Sequence, residues 1–481
     1  FRNNNEAWVV NHISDSVSIV DIPTRRVRAT IATADEPCDV VFAGNPIFAF
    51  VSCSQANRVQ RFNPNDLAAA PTNIEIGGED PRALAVSPDG LTVYAAIFES
   101  GNRSTLVAGG SDNTIDQFPN NDAMDDPTNP YGGVNPPPND PDDANTDGNL
   151  FIPPKAANGT APNVGLIVKQ DGNDAWRDDN GRDWSPWVTG AKANLSGRYQ
   201  GWTLIDRDVA VINTGTLAVT YIEHLMNLNM AIAVNPVSGD ITVVGTDGTN
   251  ETRFEPNITG RFLRVQLAMI DASKSANVID LNGEHLSVAQ GGNPYDEERV
   301  PQVERNKSIG DPRGILWNAA GTLGFITGMG SNNLVVINSA GERIDVGFAK
   351  NLREGPTGLA LDEGRNRLYV LNRFHGSISV VDLTTFNEIA NVPFFDPTPA
   401  AIKIGRKHLY DTHKNSGLGH IACGSCHIDA RMDRLAWDLG DPSGQVKLLD
   451  GEIHNLGAGI QGLRDDEDTF PPFTDFHPMK G

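Results

Sequence analysis

Residues 355–389 read GPTGLALDEGRNRLYVLNRFHGSISVVDLTTFNEI, and the rhythm of this stretch decides the fold. Apolar residues alternate through Leu-Ala-Leu, Leu-Tyr-Val-Leu and Ile-Ser-Val-Val, and each run ends at a turn rich in Gly, Asn or Asp. A period of two places alternate side chains on opposite faces of a strand, whereas an amphipathic helix needs spacings of three and four. The same unit returns at residues 36–64, 80–98, 229–246 and 311–344, and residues 6–31 supply the outer strands of one more. Residues 7–21, AWVVNHISDSVSIVD, and residues 367–382, RLYVLNRFHGSISVVD, match one another closely. A repeat of ~40 residues built from short strands indicates four-stranded propeller blades, and roughly seven fit between residues 1 and 400.

Composition narrows the partners. With 61 acidic against 38 basic side chains, the 481-residue chain carries a formal charge of −23. Such a charge disfavours nucleic acid and anionic membrane surfaces and suits calcium or a basic protein. No apolar run approaches the ~20 residues that cross a bilayer. The chain opens at Phe1-Arg2-Asn3-Asn4, without a starting Met or a signal pattern, which reads as a processed or trimmed soluble chain.

Two of the four cysteines fall inside the repeat. With a hairpin turn at residues 44–47, facing positions sum to 91, which sets Cys38 opposite Cys53 within disulfide range. A disulfide would suit an oxidising compartment; two small buried thiols are the alternative. Residues ~109–200 interrupt the blades with a Pro-, Asn- and Asp-rich insertion that reads as a long surface loop. Within it Asp143, Asn145 and Asp147, followed by Gly148, reproduce the first half of a calcium loop. Pro154 stands where the closing Glu belongs. Either other carboxylates, such as those of residues 171–184, complete a Ca²⁺ site, or the loop is simply solvated.

The remaining cysteines stand as Cys423-Gly-Ser-Cys426-His427. A zinc site would need further ligands at suitable spacing, and a redox pair would need a βαβ context; neither is present. Cys-x-x-Cys-His is the attachment pattern of c-type haem. The thiols form thioethers with the two vinyl groups, and the adjacent His427 becomes the proximal iron ligand.

Both halves of the chain have family resemblances. Residues 7–21 and 367–382 resemble YVTN-type β-propeller repeats, which speak to fold and hardly to function. Residues 409–440, LYDTHKNSGLGHIACGSCHIDARMDRLAWDLG, resemble the haem segment of the bacterial di-haem cytochrome c peroxidase and MauG-like family. That resemblance covers only residues 402 to the end and implies a small, mostly helical c-type cytochrome domain in a periplasmic or extracellular protein, because haem is attached after export. The expected organisation is thus a propeller over residues 1–400 and a haem domain over 401–481. Members of that family carry two Cys-x-x-Cys-His motifs and this chain has one, so a second haem is expected beyond Gly481, in a C-terminal part missing here, unless the protein is a mono-haem relative.

The sixth iron ligand must come from a distant segment. Met432, five residues past His427, is expected on the same short helix, from which it cannot swing to the opposite haem face, and so reads as packing. Met479 in Phe-His-Pro-Met-Lys-Gly is the favoured distal ligand, with His477, His454 and an open position as competitors. Trp437 and Tyr410 are placed to pack on a haem or to belong to the core. Three functions follow: electron transfer to a redox partner protein or another haem domain, a di-haem peroxidase or MauG-like oxidase, or an extracellular structural subunit.

Overall fold

The computed structural model describes residues 1–107, 123–134, 137, 165–196, 204–253, 261–295, 299–345, 350–438 and, for the backbone, 479–480. The chain forms two compact units. The first comprises Phe1–Ser100, Ile205–Asp247 and Arg264–Ser425; the second comprises Gly101–Leu204, Gly248–Leu263 and Cys426–Gly481. No helix among the described residues is long and apolar enough to cross a membrane.

The first unit is a succession of antiparallel meanders. Strands β1 (Glu6–Asn11), β2 (Ser16–Asp21) and β3 (Arg26–Ala32) make the first sheet, and β4 (Pro37–Ala43), β5 (Phe48–Cys53), β6 (Arg58–Phe62) and β7 (Thr72–Glu75) the second. The third begins with β8 (Glu79–Val86) and β9 (Thr92–Glu99). It is interrupted by β10 (Ser104–Val107), β11 (Leu166–Gln170) and β12 (Trp176–Arg177), which form a sheet of the second unit. It resumes with β13 (Val209–Asn213) and β14 (Val219–Ile222).

The fourth holds β15 (Leu228–Val234), β16 (Ile241–Gly248), β17 (Leu263–Ile270) and β18 (Ala276–Asp280), joined to the third by the pair Leu228 and Glu99. The fifth is β19 (Pro312–Trp317), β20 (Leu323–Gly328) and β21 (Asn333–Asn338). The sixth is β22 (Pro356–Asp362), β23 (Arg367–Asn372), β24 (Ser377–Asp382) and β25 (Glu388–Pro393). Strands β4, β8, β15, β19 and β22 pack in succession, so the sheets stand side by side as propeller-like blades. Six such sheets occur among the described residues, where the repeat suggested roughly seven.

Apolar alternation seals the sheets against one another. Trp8, Val17 and Ile19 of the first sheet pack with Val51 and Phe62 of the second, and Phe50 and Val59 of the second with Val93 and Ile97 of the third. Phe325 and Val336 likewise meet Leu368, Val370 and Val381. Each buried side chain of this size contributes roughly 1.5–3 kcal/mol.

A repeated irregularity explains the fate of Cys38. The residue before the proline at or near the start of an inner strand takes positive φ at Glu36 (54°), Asp80 (64°), Asp311 (51°) and Gly355 (71°). A β-bulge follows each of Pro37, Pro81, Pro312 and Pro356. The expected register, positions summing to 91, holds from Asp39 opposite Ser52 to Ala43 opposite Phe48. At the bulge it slips: Pro37, not Cys38, faces Cys53, and Cys38 is the extra residue that a bulge turns aside.

The disulfide expectation is therefore corrected, since both thiols are free. Cys38 Sγ lies 3.7 Å from His12 Nδ1, and Cys53 Sγ lies inside the core, 3.7 Å from Gln60 Oε1. Burial pushes the two thiols up to about 11 and about 12 respectively.

The second unit corrects the expectation of a plain surface loop. Ala123, Met124, Trp176, Trp184, Trp187 and Val188 form a buried cluster of their own. Trp184 is fully buried, with Nε1 donating to Asp178 at 3.0 Å, and Tyr131 donates to the same carboxylate at 2.7 Å.

Candidate haem-attachment site

The approach to the motif begins with the Ala400–Tyr410 helix. Ala, Lys, Arg and Leu favour it, Pro399 opens it, and Lys407 and His408 in its last turn suit the negative end of its dipole. Asp411 ends it and caps the next turn, accepting from Lys414 N at 3.1 Å. The chain then packs closely within the first unit. Thr412 N donates to Gly330 O at 3.0 Å and Val300 N to Gly417 O at 3.0 Å. A Cβ at Gly310 would stand 2.6 Å from Thr412 Cγ2 and 2.8 Å from His420 O, so this backbone approach requires glycine.

Three buried histidines secure the same segment. His285 Nδ1 is 3.5 Å from Arg343 NH1, which can only donate; Nε2 therefore carries the proton and donates to Ser308 Oγ at 2.9 Å. Ser308 Oγ in turn donates to Leu418 O at 2.6 Å, and His413 Nε2 donates to Ser308 O at 2.9 Å. His420 is fully buried, its ring 6.0 Å from that of Tyr295. Burial, then the Arg343 charge, drives His285 down to about 2, and burial also lowers His413. Sequence reasoning missed this cluster, because single histidines at 285, 413 and 420 share no spacing that links them.

The motif occupies one helical turn, Cys423–Cys426. Residues three apart lie on one side of a helix, so both sulfurs face the same way. Ser425 holds the turn: its N donates to Ala422 O at 2.9 Å, and its Oγ accepts from Ala422 N at 3.0 Å. A Cβ on Gly424 would come 2.6 Å from Tyr410 Cδ1, so this position too must be small, and Tyr410 also lies 5.0 Å from the Phe374 ring. Cys423 and His427 are exposed.

Within the second unit, Cys426 is half-buried against Phe262, Leu435 and Trp437. The buried Asp433 accepts from Trp437 Nε1 at 2.9 Å and Leu435 N at 3.1 Å, and is hydrogen-bonded by the Cys426 side chain. Burial lifts its carboxyl to about 6. Trp437 meets Phe262 edge to face at 5.7 Å.

The structure brings the segment of one proposed distal ligand near this cluster. The backbone of Met479–Lys480 (β27) pairs with Ala436–Trp437 (β26), Met479 opposite Trp437. Met432 is not on the cysteine helix: that turn ends at Cys426, and a 3₁₀ turn runs only from Ile428 to Ala430. His454 and His477 lie outside the described residues, as do the calcium-loop residues Asp143, Asn145 and Asp147.

The carboxylates offered as closing calcium ligands are engaged locally. Asp171 pairs with Arg177 at 2.6 Å and Asp179 with the buried Arg253 at 2.7 Å. Among the described residues no group of three or more His, Cys, Asp or Glu side chains is arranged to hold a metal ion. For haem c the donor set does fit. Two thiols outside any disulfide share one helical turn, an exposed imidazole follows directly, and apolar side chains flank Cys426.

A second cluster escaped the sequence reading. Arg82 and Arg313 occupy equivalent places after the bulged prolines, each bound to its own motif carboxylate, Asp80 at 2.6 Å and Asp311 at 2.5 Å. Their guanidinium carbons lie 3.6 and 5.5 Å from the centre of the Phe98 ring. The repeated Asp-Pro-Arg tripeptide, at 80–82 and 311–313, was the signal that could have found it.

No protein-family model matches the chain, and no curated protein matches it. Among solved structures, Kuenenia stuttgartiensis hydrazine synthase is similar at 14% identity, over 79% of this chain and 93% of that one, with a TM-score of 0.38. A nidogen/laminin complex is similar at 10% identity, over 80% and 92%, also at 0.38. At that level of likeness the blade assignment rests on the sheets themselves.

Proposed function

We propose that the protein is an exported c-type cytochrome, periplasmic or extracellular, whose propeller-like unit carries a covalently attached haem used in electron transfer. The observation that carries this reading is the Cys423–Cys426 turn with His427 immediately after it. A haem held there supplies a one-electron iron couple. Cys423 and Cys426 anchor it through thioethers and His427 is the proximal ligand. Phe262, Leu435 and Trp437 keep water from Cys426, while Asp433 fixes the Trp437 indole. Met479 is the proposed distal ligand, supported by the pairing of its backbone with Trp437.

The test is an anaerobic redox titration of the purified protein followed by mixing with peroxide. Uptake and return of one electron per chain without peroxide turnover supports electron transfer. Sustained peroxide consumption moves the reading to the di-haem peroxidase class.

A further inference from the structure

We propose that Tyr131 is a redox-active tyrosine, oxidised reversibly by one electron, with Asp178 as its proton acceptor and the Trp184 and Trp187 indoles as its electronic neighbours. The site lies wholly within the second unit, where Tyr131 packs against the core that Met124 and the tryptophans form. It does not depend on a haem.

The proton acceptor is prepared by the fold. Asp178 is 5% exposed, and donors meet both of its oxygens. Oδ1 accepts from Asn180 N at 3.0 Å and from Arg182 N at 2.9 Å; Oδ2 accepts from the Tyr131 hydroxyl at 2.7 Å and from Trp184 Nε1 at 3.0 Å. A carboxyl group met by four donors is held as the carboxylate. Burial raises the Asp178 carboxyl above its usual range, which makes it the stronger base. The phenol oxygen itself accepts from Asn180 Nδ2 at 2.6 Å, which leaves its own proton for Asp178.

At rest the phenol keeps that proton, because burial and then the Asp178 charge raise it above its ordinary value. Withdrawing an electron reverses the balance. A phenol radical cation is a strong acid, and here a base stands within hydrogen-bond reach. One electron passes from Tyr131 to an outer-sphere one-electron oxidant, the phenol O–H bond breaks, and an O–H bond forms on Asp178 Oδ2. The neutral phenoxyl oxygen keeps the hydrogen bond from Asn180. A one-electron reductant returns the electron, and the proton moves back across the same bond.

Three rings stand in series at this site. Tyr131 lies 6.2 Å from Trp184 with the planes 31° apart, and Trp184 lies 5.6 Å from Trp187 at 63°. Each has a carboxylate for its proton: Trp187 Nε1 donates to Asp126 Oδ2 at 3.1 Å, and Lys192 holds that carboxylate at 2.7 Å. Core packing alone does not demand this pairing. Trp176 belongs to the same core, and among the described residues its Nε1 has no hydrogen-bond partner. Because Tyr131 and Trp184 share Asp178 Oδ2, one proton fills the common acceptor, and this pair holds one oxidising equivalent at a time.

Flash oxidation of the full chain tests this, with photogenerated ruthenium(III) tris-bipyridine as the one-electron oxidant and electron paramagnetic resonance of the trapped product as the readout. The wild type should give a neutral tyrosyl radical that forms more slowly in heavy water. Tyr131→Phe should lose that signal and give a tryptophanyl radical, since Trp184 then has Asp178 to itself. Asp178→Asn should also lose the tyrosyl signal, and Asp178→Glu should restore it. The heavy-water comparison is made on the wild type and needs no variant to fold. The proposal is overturned if the wild type gives no tyrosyl radical, if the tyrosyl radical persists in Tyr131→Phe, or if its formation is unchanged in heavy water.

Discussion

Acidification should loosen the segment that leads into the haem motif, and His285→Gln should remove much of that sensitivity. The His285 side chain is buried between Ser308 and Arg343 and held neutral, its pKa driven to about 2 by burial and then by Arg343. In the unfolded chain its value returns to about 6.5. A depressed folded-state value means that the stability contribution is complete above about pH 6.5 and is lost progressively as pH falls toward the folded value. Between pH 7 and pH 5 the unfolded imidazole gains its proton and the folded one does not, which costs about 2 kcal/mol at ~1.4 kcal/mol per unit. Urea unfolding of the wild type and His285→Gln at both pH values gives the double difference, in which any pH-independent cost of the substitution cancels. A loss about 2 kcal/mol larger in the wild type is expected. Equal losses in the two proteins would refute the reasoning.

Three other outcomes are expected. Trp184→Ala should destabilise the second unit by about 3–5 kcal/mol, seen as faster proteolysis and a lower denaturation midpoint, because this fully buried indole fills the insertion's own core; a change below about 1 kcal/mol would mean that the cluster is not a core. In denatured, unreduced holoprotein, Cys38 and Cys53 should both take up alkylating reagent, whereas a mass two hydrogens short of the dithiol would restore the disulfide. Met479→Ala should remove the far-red band of oxidised His/Met haem and open the iron to cyanide; an unchanged spectrum would transfer the distal role to His477 or His454.

How legible this was in the sequence depended on whether a feature was local. Alternation and turn residues marked the strands within residues 6–31, 36–64, 80–98, 229–246, 311–344 and 355–389 but not β7, β13, β14, β17 and β18, and the Cys423-x-x-Cys426-His427 spacing marked the attachment turn. The hairpin register was right from Asp39 to Ala43, and one extra residue at the bulge after Pro37 was enough to separate Cys38 from Cys53. The bulge was written in the recurrent acid-Pro pairs at 36, 80 and 311, but only their shared positive φ gives that pattern a meaning. The insertion misled for a different reason. Its Pro and Asp content argues for loop, yet its tryptophans and Met124 are scattered over sixty residues and become a core only in three dimensions. The His285, His413 and His420 cluster is likewise purely tertiary.

The central claim is that Cys423 and Cys426 carry a covalent haem, and acid-acetone extraction of the protein purified from its native host tests it most directly. Haem that remains with the polypeptide after extraction, and is lost when both cysteines are replaced by alanine, is the predicted result. Free haem b in the acetone phase, or a protein without haem, would contradict the account.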